Sequence, residues 1–362
     1  MKNFKFSPHE SLKVPEKPAI SKFADLRAKD LSDKDFKNIP IKILNTIDFD
    51  SQTKFPPAEN LPAEFNPRKL MENGKNPGLG IRELHREGIT GKGINVAIID
   101  QKLDLTHPEY AENIIGYEEV GDSFKNNLET ISMHGPAVAS LLIGKDCGVA
   151  PDAKLYYKAA PAGEYCHWED YAESLNKIIE HNNSADEQDK IKIVSCSIGY
   201  PNPGPKGDLN IWIQSIEKAK SGGIIFIDAR TLGHSNFSGG GSLDDKENID
   251  RYHAWLYFTK QEISATKDSA IVPTDYRTVA SSWNKINKND PTEYYFNGRG
   301  GVSWAVPYLA GICALMLQVN KDLKMEEMFK IIHDTATVNK KGLKIINPRS
   351  IIETVKNQAP QK

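Results

Sequence analysis

The sequence predicts an α/β fold in which helices flank a mostly parallel sheet, and three observations indicate it. Short, nearly continuous apolar runs are typical of strands that are buried on both faces of a sheet. These runs alternate with segments of helical spacing, which is the pattern of a parallel sheet covered by helices. The length of 362 residues suits one large domain with extensions, or two domains.

Residues 1–76 differ in composition from the rest of the chain. They are rich in Lys, Asp and Pro, and their prolines interrupt regular structure. Their one apolar patch covers residues 39–44. We interpret residues 1–76 as an N-terminal extension and candidate propeptide, with residues 39–44 as a segment that lies across a cleft of the domain formed by residues 77–362. The alternative is a partly disordered tail.

The elements of the α/β pattern can be placed in order along the domain. Strands are predicted over residues 94–99, 155–159, 191–195 and 224–227. Helices are predicted over residues 79–87, 169–181, 209–220 and 324–335, and after His134 and Ser303. Residues 239–241 are three glycines and predict a flexible loop, and further strands are expected within 252–258 and 270–283.

Three side chains are predicted to lie where rigid elements can carry chemistry. Asp100 follows a buried strand, and functional groups collect beyond the carboxyl ends of parallel strands. His134 and Ser303 each begin a predicted helix. Each has a structural explanation of its own: a helix cap for Asp100 and Ser303, a core histidine for His134. Together they offer a nucleophilic hydroxyl, a base for its proton, and a carboxylate that orients the base.

Three segments resemble the catalytic motifs of the subtilisin-type serine proteases of the subtilase family. Residues 91–100 resemble the aspartate motif, residues 134–139 the histidine motif, and residues 301–307 the serine motif. The order Asp, His, Ser along the chain is the order known for subtilisin. The resemblance covers about residues 78–350 and implies a subtilisin-like three-layer fold.

The resemblance also implies a role for each residue in a serine endopeptidase. Ser303 attacks the scissile carbonyl, His134 takes and returns the proton, and Asp100 orients His134. Ser303 Oγ and the Asp100 carboxylate are therefore expected within hydrogen-bond reach of opposite sides of the imidazole. The substrate is expected to be a polypeptide in extended form that pairs with the backbone of Ser197, Ile198 and Gly199.

The sequence departs from the family pattern where the oxyanion of the reaction is stabilised. The family places an asparagine after the fourth strand, but no asparagine falls at that point of this chain. Thr231 is the nearest polar substitute, and Asn236 follows a few residues later. Val302 replaces the usual threonine beside the serine. Because the loss of one oxyanion donor costs about 10²–10³ in rate, we expect a slow protease or a substitute donor.

Composition and cysteine usage argue against other classes of protein. The formal net charge is −2, which does not favour a nucleic-acid partner, and no apolar run approaches the ~20 residues of a membrane span. The N-terminus lacks the pattern of a secretory signal. The four cysteines form no CxxC pair, and Cys196 and Cys313 lie in apolar runs as expected of buried thiols. We predict a cytoplasmic protein and make no prediction of its oligomeric state.

The sequence predicts neither a cofactor nor a metal site. Many relatives bind calcium in a loop inserted in the histidine helix, but residues 142–148 are too short for that loop. Glu109 matches one ligand position of the calcium site and lacks the other ligands.

Two alternatives to the endopeptidase use the same residues. A catalytically weak or inactive relative would bind polypeptide in the cleft and act as a regulator. A peptide-maturation protease would transfer the acyl group to an amine instead of to water.

Overall fold

The computed structural model describes residues 20–128, 130–198, 204–256, 268–282 and 293–358. The strands are β1 (Phe49–Asp50), β2 (Asn95–Asp100), β3 (Ile114–Glu119), β4 (Lys154–Ala159), β5 (Ile191–Cys196), β6 (Ile225–Asp228), β7 (Phe237–Gly241), β8 (His253–Ala254), β9 (Ala270–Pro273), β10 (Arg277–Ala280), β11 (Tyr294–Asn297), β12 (Thr337–Val338) and β13 (Lys344–Ile345). The helices are α1 (Ile41–Leu44), α2 (Pro67–Lys75), α3 (Ile81–Arg86), α4 (Asp122–Lys125), α5 (His134–Ile143), α6 (Trp168–Ser184), α7 (Leu209–Ser221), α8 (Ala229–His234), α9 (Val302–Val319), α10 (Met325–Asp334) and α11 (Pro348–Gln358).

A five-stranded parallel sheet with the order β3-β4-β2-β5-β6 forms the centre of the fold. The middle strand β2 is buried along its whole length, and its side chains alternate between two apolar layers. Val96 and Ile98 pack with α5 and α9, whereas Ala97 and Ile99 pack with α6 and α7. The predicted α/β class and the three-layer arrangement of helix, sheet and helix are therefore confirmed.

Helices α5 and α9 pass through the larger apolar layer. Both are apolar around most of their circumference, which is typical of helices buried in a core. By length and composition α9 would also be long enough to cross a membrane, but 78% of it is buried inside the protein. A Cβ on Gly311 of α9 would lie 2.5 Å from the Val149 side chain, so this glycine permits the close approach of the loop after α5.

Two smaller sheets complete the fold. One has the order β12-β13-β9-β7-β8, and the other is an antiparallel sheet with the order β1-β11-β10. The prediction of a flexible loop at the three glycines was wrong, because they form part of β7. A Cβ on Gly240 would lie 2.1 Å from the His253 carbonyl oxygen, so the glycines serve close approach between backbones and not a turn.

The described part of the N-terminal extension, residues 20–76, packs against the rest of the chain. It has its own apolar cluster, which includes Phe36, Leu44 and Phe49 and also takes in Phe296 of β11. Strand β1 pairs with β11, so the extension supplies one edge of the antiparallel sheet. Residues 39–44 contact this cluster through Ile39, Ile41 and Leu44, and the short helix α1 covers Ile41–Leu44. Removal of residues 1–76 as a propeptide stays a prediction.

Candidate active site

The Asp100 carboxylate and the His134 imidazole are in direct contact. Asp100 is the last residue of β2 and is 4% exposed, and His134 begins α5 and is half-buried. His134 Nδ1 lies 2.6 Å from Asp100 Oδ1, which also accepts the Gln101 backbone N–H at 2.8 Å. The contact joins residues 34 positions apart in the sequence. It fixes the imidazole with Nδ1 toward the carboxylate and leaves Nε2 for other chemistry.

A glycine lets the histidine helix approach the end of β2. A Cβ on Gly135 would lie 2.6 Å from the Gln101 carbonyl oxygen and 2.7 Å from the Tyr157 hydroxyl oxygen. Tyr157 donates its hydroxyl to the same Gln101 carbonyl. Any larger residue at position 135 would therefore push the helix away and lengthen the contact between His134 and Asp100.

The surroundings of His134 favour its charged form. Burial lowers the pKa of the imidazole, but the negative charge of Asp100 and the hydrogen bond to it outweigh burial. The pKa of His134 is therefore raised above its usual value. A raised pKa makes His134 a better proton acceptor and stabilises the imidazolium that forms when it takes a proton.

Ser303 lies in the first turn of α9, after a strained turn. Gly301 occupies the N-cap position, so the explanation of Ser303 as the N-cap was wrong. Gly300 has a φ of 57°, and a Cβ there would lie 2.2 Å from the Thr274 carbonyl oxygen. Because that conformation and that space both require glycine, the turn holds the serine at a defined position at the start of the helix.

Trp304 places the start of α9 against the His134 imidazole. Its ring centroid lies 5.5 Å from that of His134, at an angle of 31°, and its side chain is 5% exposed. The usual residue at this position of the serine motif is methionine. The exchange for an aromatic residue was a signal in the sequence, but it did not disclose that the two rings are neighbours.

Ser197 and Ser303 hold one another by two hydrogen bonds. Ser197 Oγ donates to the Ser303 carbonyl oxygen at 3.0 Å, and Ser303 Oγ donates to the Ser197 carbonyl oxygen at 3.5 Å. The Ser303 carbonyl is free of the helix because its partner four residues on would be Pro307, which has no N–H. The end of β5, where the substrate is predicted to pair, is thus tied to the serine.

The expected hydrogen bond between Ser303 and His134 is not formed within the described part of the chain, where the serine hydroxyl contacts the Ser197 carbonyl instead. In free enzymes catalytic hydrogen bonds are often long or poorly aligned, and they tighten when substrate binds.

Neither sequence-predicted oxyanion residue is among the described residues that line the cleft. Thr231 donates its hydroxyl to Asp228 Oδ1 at 2.7 Å, and its backbone N–H bonds the same oxygen at 2.6 Å. This reciprocal cap begins α8 directly after β6. Asn236 follows the helix with a φ of 53°. An aspartate followed three residues later by a threonine is a pattern typical of a helix start, so Asp228 and Thr231 carried a sequence signal for α8.

The cleft beside these residues has a volume of about 940 Å³. Its described lining includes Asp100, His134, Ser197, Ile198 and Val302, and it is mostly apolar elsewhere. The lining also includes Arg230, an exposed residue of α8 that the sequence reasoning missed. Gly199 lies outside the described residues, and no described residue of the extension lines the cleft.

Glu109 has a structural role in place of a metal-binding one. Its Oε1 accepts the Tyr294 hydroxyl at 2.6 Å, and its Oε2 accepts the backbone N–H groups of Asp146 and Cys147 at 3.0 and 3.3 Å. The carboxylate thereby closes the short turn after α5. Among the described residues, no group of three or more His, Cys, Asp or Glu side chains is arranged to hold a metal ion.

Several known proteins are similar to this chain. The subtilisin-like protease PopC of Myxococcus xanthus (strain DK1622) is 22% identical over 285 residues, which cover 71% of this chain and 58% of PopC. The major intracellular serine protease of Bacillus subtilis (strain 168) is 30% identical over 155 residues, 41% of this chain and 45% of that protein. The matches thus span less than two thirds of each relative.

A solved structure agrees with the fold. The structure titled prenylagaramide maturation protease PagA superposes with a TM-score of 0.53 at 18% identity, over 77% of this chain and 99% of PagA. The family model described as the subtilase family matches residues 91–349, which include Asp100, His134 and Ser303. This chain therefore belongs to the subtilase family.

Proposed function

We propose that the protein is a serine endopeptidase that hydrolyses peptide bonds through Ser303, His134 and Asp100. The observation that carries this proposal is the 2.6 Å contact between His134 Nδ1 and Asp100 Oδ1 beside the first turn of the serine helix. A buried carboxylate that orients an imidazole, next to a serine at a helix start, is the arrangement that acyl transfer requires.

The reaction proceeds in two halves. Ser303 Oγ attacks the scissile carbonyl and gives its proton to His134 Nε2, while Asp100 stabilises the imidazolium. The imidazolium returns the proton to the leaving amine, which leaves an acyl-enzyme on Ser303. Water then attacks the ester and gives a proton to His134. The imidazolium returns this proton to Ser303 Oγ, which releases the carboxylic acid product and restores the free serine.

The substrate is an extended polypeptide that pairs with the chain beyond β5. Ser197 and Ile198 line the cleft there, and an extended peptide gains main-chain hydrogen bonds by adding a strand to such an edge. For the oxyanion, the backbone N–H of Ser303 acts with the guanidinium of Arg230. This residue follows β6 at the place where the family carries its asparagine, and it lines the same cleft.

A second candidate function is that of a polypeptide-binding regulator with little activity. It is favoured by the commitment of the Thr231 hydroxyl to Asp228 and by the bond of the Ser303 hydroxyl to the Ser197 carbonyl. In such a protein the cleft would bind polypeptide and the serine would stay unreactive.

Covalent labelling separates the two candidates. We expect a fluorophosphonate probe to label the protein on Ser303, and the Ser303→Ala variant to stay unlabelled. Ser184→Ala, an exposed serine at the end of α6, is the matched control and should label like the parent. Absence of labelling in the parent protein, or labelling that persists in Ser303→Ala, would refute the protease and favour the regulator.

We further propose that the protein acts in the cytoplasm. All four cysteines are free thiols, and Cys147, Cys196 and Cys313 are buried. Free thiols suit a reducing compartment, and one of the relatives is named as an intracellular protease. Separation of cell fractions followed by detection of the protein would test this location.

A further inference from the structure

The carboxylate of Asp48, in the N-terminal extension, is bound to β11 and to the start of the loop that leads to the serine. Asp48 is 4% exposed. Its Oδ1 accepts the Gly298 backbone N–H at 2.9 Å and Asn297 Nδ2 at 3.0 Å, and its Oδ2 accepts the Tyr295 hydroxyl at 2.9 Å. One side chain from the extension thus accepts hydrogen bonds from two residues of β11 and from the first residue of the loop that leads to α9.

The end of β11 is also bonded to the serine helix. Asn297, which donates to Asp48, accepts the indole N–H of Trp304 on its Oδ1 at 2.8 Å. The Trp304 ring in turn lies against the His134 imidazole, with 5.5 Å between the ring centroids. A continuous path of contacts therefore runs from Asp48 through Asn297 and Trp304 to His134.

The extension and the loop after β11 also pack closely against each other. A Cβ on Gly298 would lie 2.5 Å from the Thr46 backbone, so the loop is pressed directly on the extension. Phe49 and Phe296 are paired in the sheet, and their ring centroids are 5.0 Å apart. The Arg27 guanidinium lies 4.7 Å from the centre of the Tyr295 ring.

Near neutral pH the Asp48 carboxylate is in the charge state that accepts these three hydrogen bonds best. Burial raises its pKa to about 6, against the opposing effects of the Gly298 N–H, the Tyr295 hydroxyl and Arg299. Above that pH the carboxylate is ionised and can accept all three hydrogen bonds, which are stronger when the acceptor carries a charge.

We propose that Asp48 is a positioning residue, through which the N-terminal extension sets the placement of Trp304 and thereby of Ser303 and His134. This inference rests on the proposed endopeptidase function. It also has a consequence for processing: loss of the extension would lower activity, whereas removal of an inhibitory propeptide would raise it.

The test compares Asp48→Ala and Asp48→Asn with Phe36→Ala in the full-length protein. Phe36 is fully buried in the extension and is not on the path of contacts. The Phe36→Ala variant therefore shows the effect of a general loss of packing in the extension. The indole N–H resonance of Trp304, assigned by its disappearance in Trp304→Phe, is measured by NMR together with its exchange rate. The rate of fluorophosphonate labelling is measured in the same samples, well below the unfolding temperature.

We expect Asp48→Ala to shift the Trp304 indole resonance, to speed its exchange, and to slow labelling by about 10- to 100-fold, since small displacements of catalytic groups have effects of this size. Asp48→Asn keeps one acceptor oxygen and should fall between Asp48→Ala and the parent. Phe36→Ala should lower thermal stability but leave both the indole resonance and the labelling rate unchanged.

Three results would overturn the proposal: an unchanged indole resonance in folded Asp48→Ala, an equal change in Phe36→Ala, or a shifted resonance with an unchanged labelling rate. If Asp48→Ala does not fold, Asp48→Asn provides the same comparison. If the parent protein is not labelled at all, the endopeptidase proposal fails, and the indole measurement alone then decides whether Asp48 positions Trp304.

Discussion

Two aspartates each end a strand of the same parallel sheet, but they bind different kinds of partner. Asp100 ends β2 and Asp228 ends β6, and both are almost completely buried, at 4% and 3% exposure. Asp100 binds the imidazole of His134, 34 residues away in the sequence. Asp228 binds the backbone and hydroxyl of Thr231, three residues away, and begins a helix.

The difference shows that the position of a carboxylate at a strand end does not decide its role. A local partner satisfies Asp228 and makes it part of the backbone framework, as is usual for helix caps. A partner from another element gives Asp100 the geometry of a proton-transfer system. We therefore expect the loss of Asp100 to affect chemistry and the loss of Asp228 to affect stability.

The largest effect is expected for Asp100→Asn. The amide no longer stabilises the imidazolium and favours the wrong tautomer of His134, so kcat should fall by about 10⁴-fold. The protein should stay folded, because an amide of equal size fills the site. Hydrolysis of a peptide substrate, with circular dichroism as the control for folding, measures both.

The pH dependence of the residual activity gives a second measure of the same contact. Activity requires neutral His134, so in the parent it is lost as the pH falls through the raised pKa of this residue. Asp100→Asn removes the charge that raises this pKa and leaves the burial that lowers it. The acid limb of the kcat/KM profile, which reports the free enzyme, should therefore move to lower pH. An unmoved limb, or a kcat close to that of the parent, would contradict the role of Asp100.

An intermediate effect is expected on the other side of the cleft. If Arg230 stabilises the oxyanion, Arg230→Ala should lower kcat by about 10²-fold with little change in KM, since the contribution is made mainly in the transition state. Thr231→Val is the neighbouring control: it should leave kcat close to that of the parent, because the threonine hydroxyl is committed to Asp228. Steady-state kinetics would reverse the assignment if Thr231→Val had the larger effect.

A smaller effect on activity than those of Asp100→Asn and Arg230→Ala is expected for Asp228→Ala. Loss of the cap should lower the free energy of unfolding by about 1–2 kcal/mol, and kcat should fall by less than in Arg230→Ala. Urea unfolding and kinetics on one preparation test both statements. A loss of kcat comparable to that of Asp100→Asn would mean that the two strand-end aspartates are not divided as the structure indicates.

The part of the fold that could be predicted from sequence is the part whose signals are local. Residues 96–99 of β2 are a continuous apolar run, and the prediction of a buried strand that ends at Asp100 was correct. Strand β3 was missed because half-buried and exposed residues alternate irregularly along it at the edge of the sheet. The three glycines of β7 resemble a loop in sequence, and only the neighbouring backbone explains them.

The same distinction between local signals and contacts made only in the folded chain applies to the candidate site. The contact of His134 with Asp100 could be predicted because each residue carries its own motif. The contacts of Asp48 could not, since β1 and β11 are separated by more than 240 residues and no local pattern marks their pairing. The placement of Trp304 on His134 and of Arg230 in the cleft likewise depends on elements that meet only in the folded chain.

Because Pro307 has no N–H, the hydrogen bonds between Ser197 and Ser303 couple the effects of substitutions at positions 197 and 307. A residue with an N–H at position 307 would compete with the Ser197 hydroxyl for the Ser303 carbonyl, so the effects of replacing Ser197 and Pro307 should not add. The two positions form one epistatic unit across the cleft.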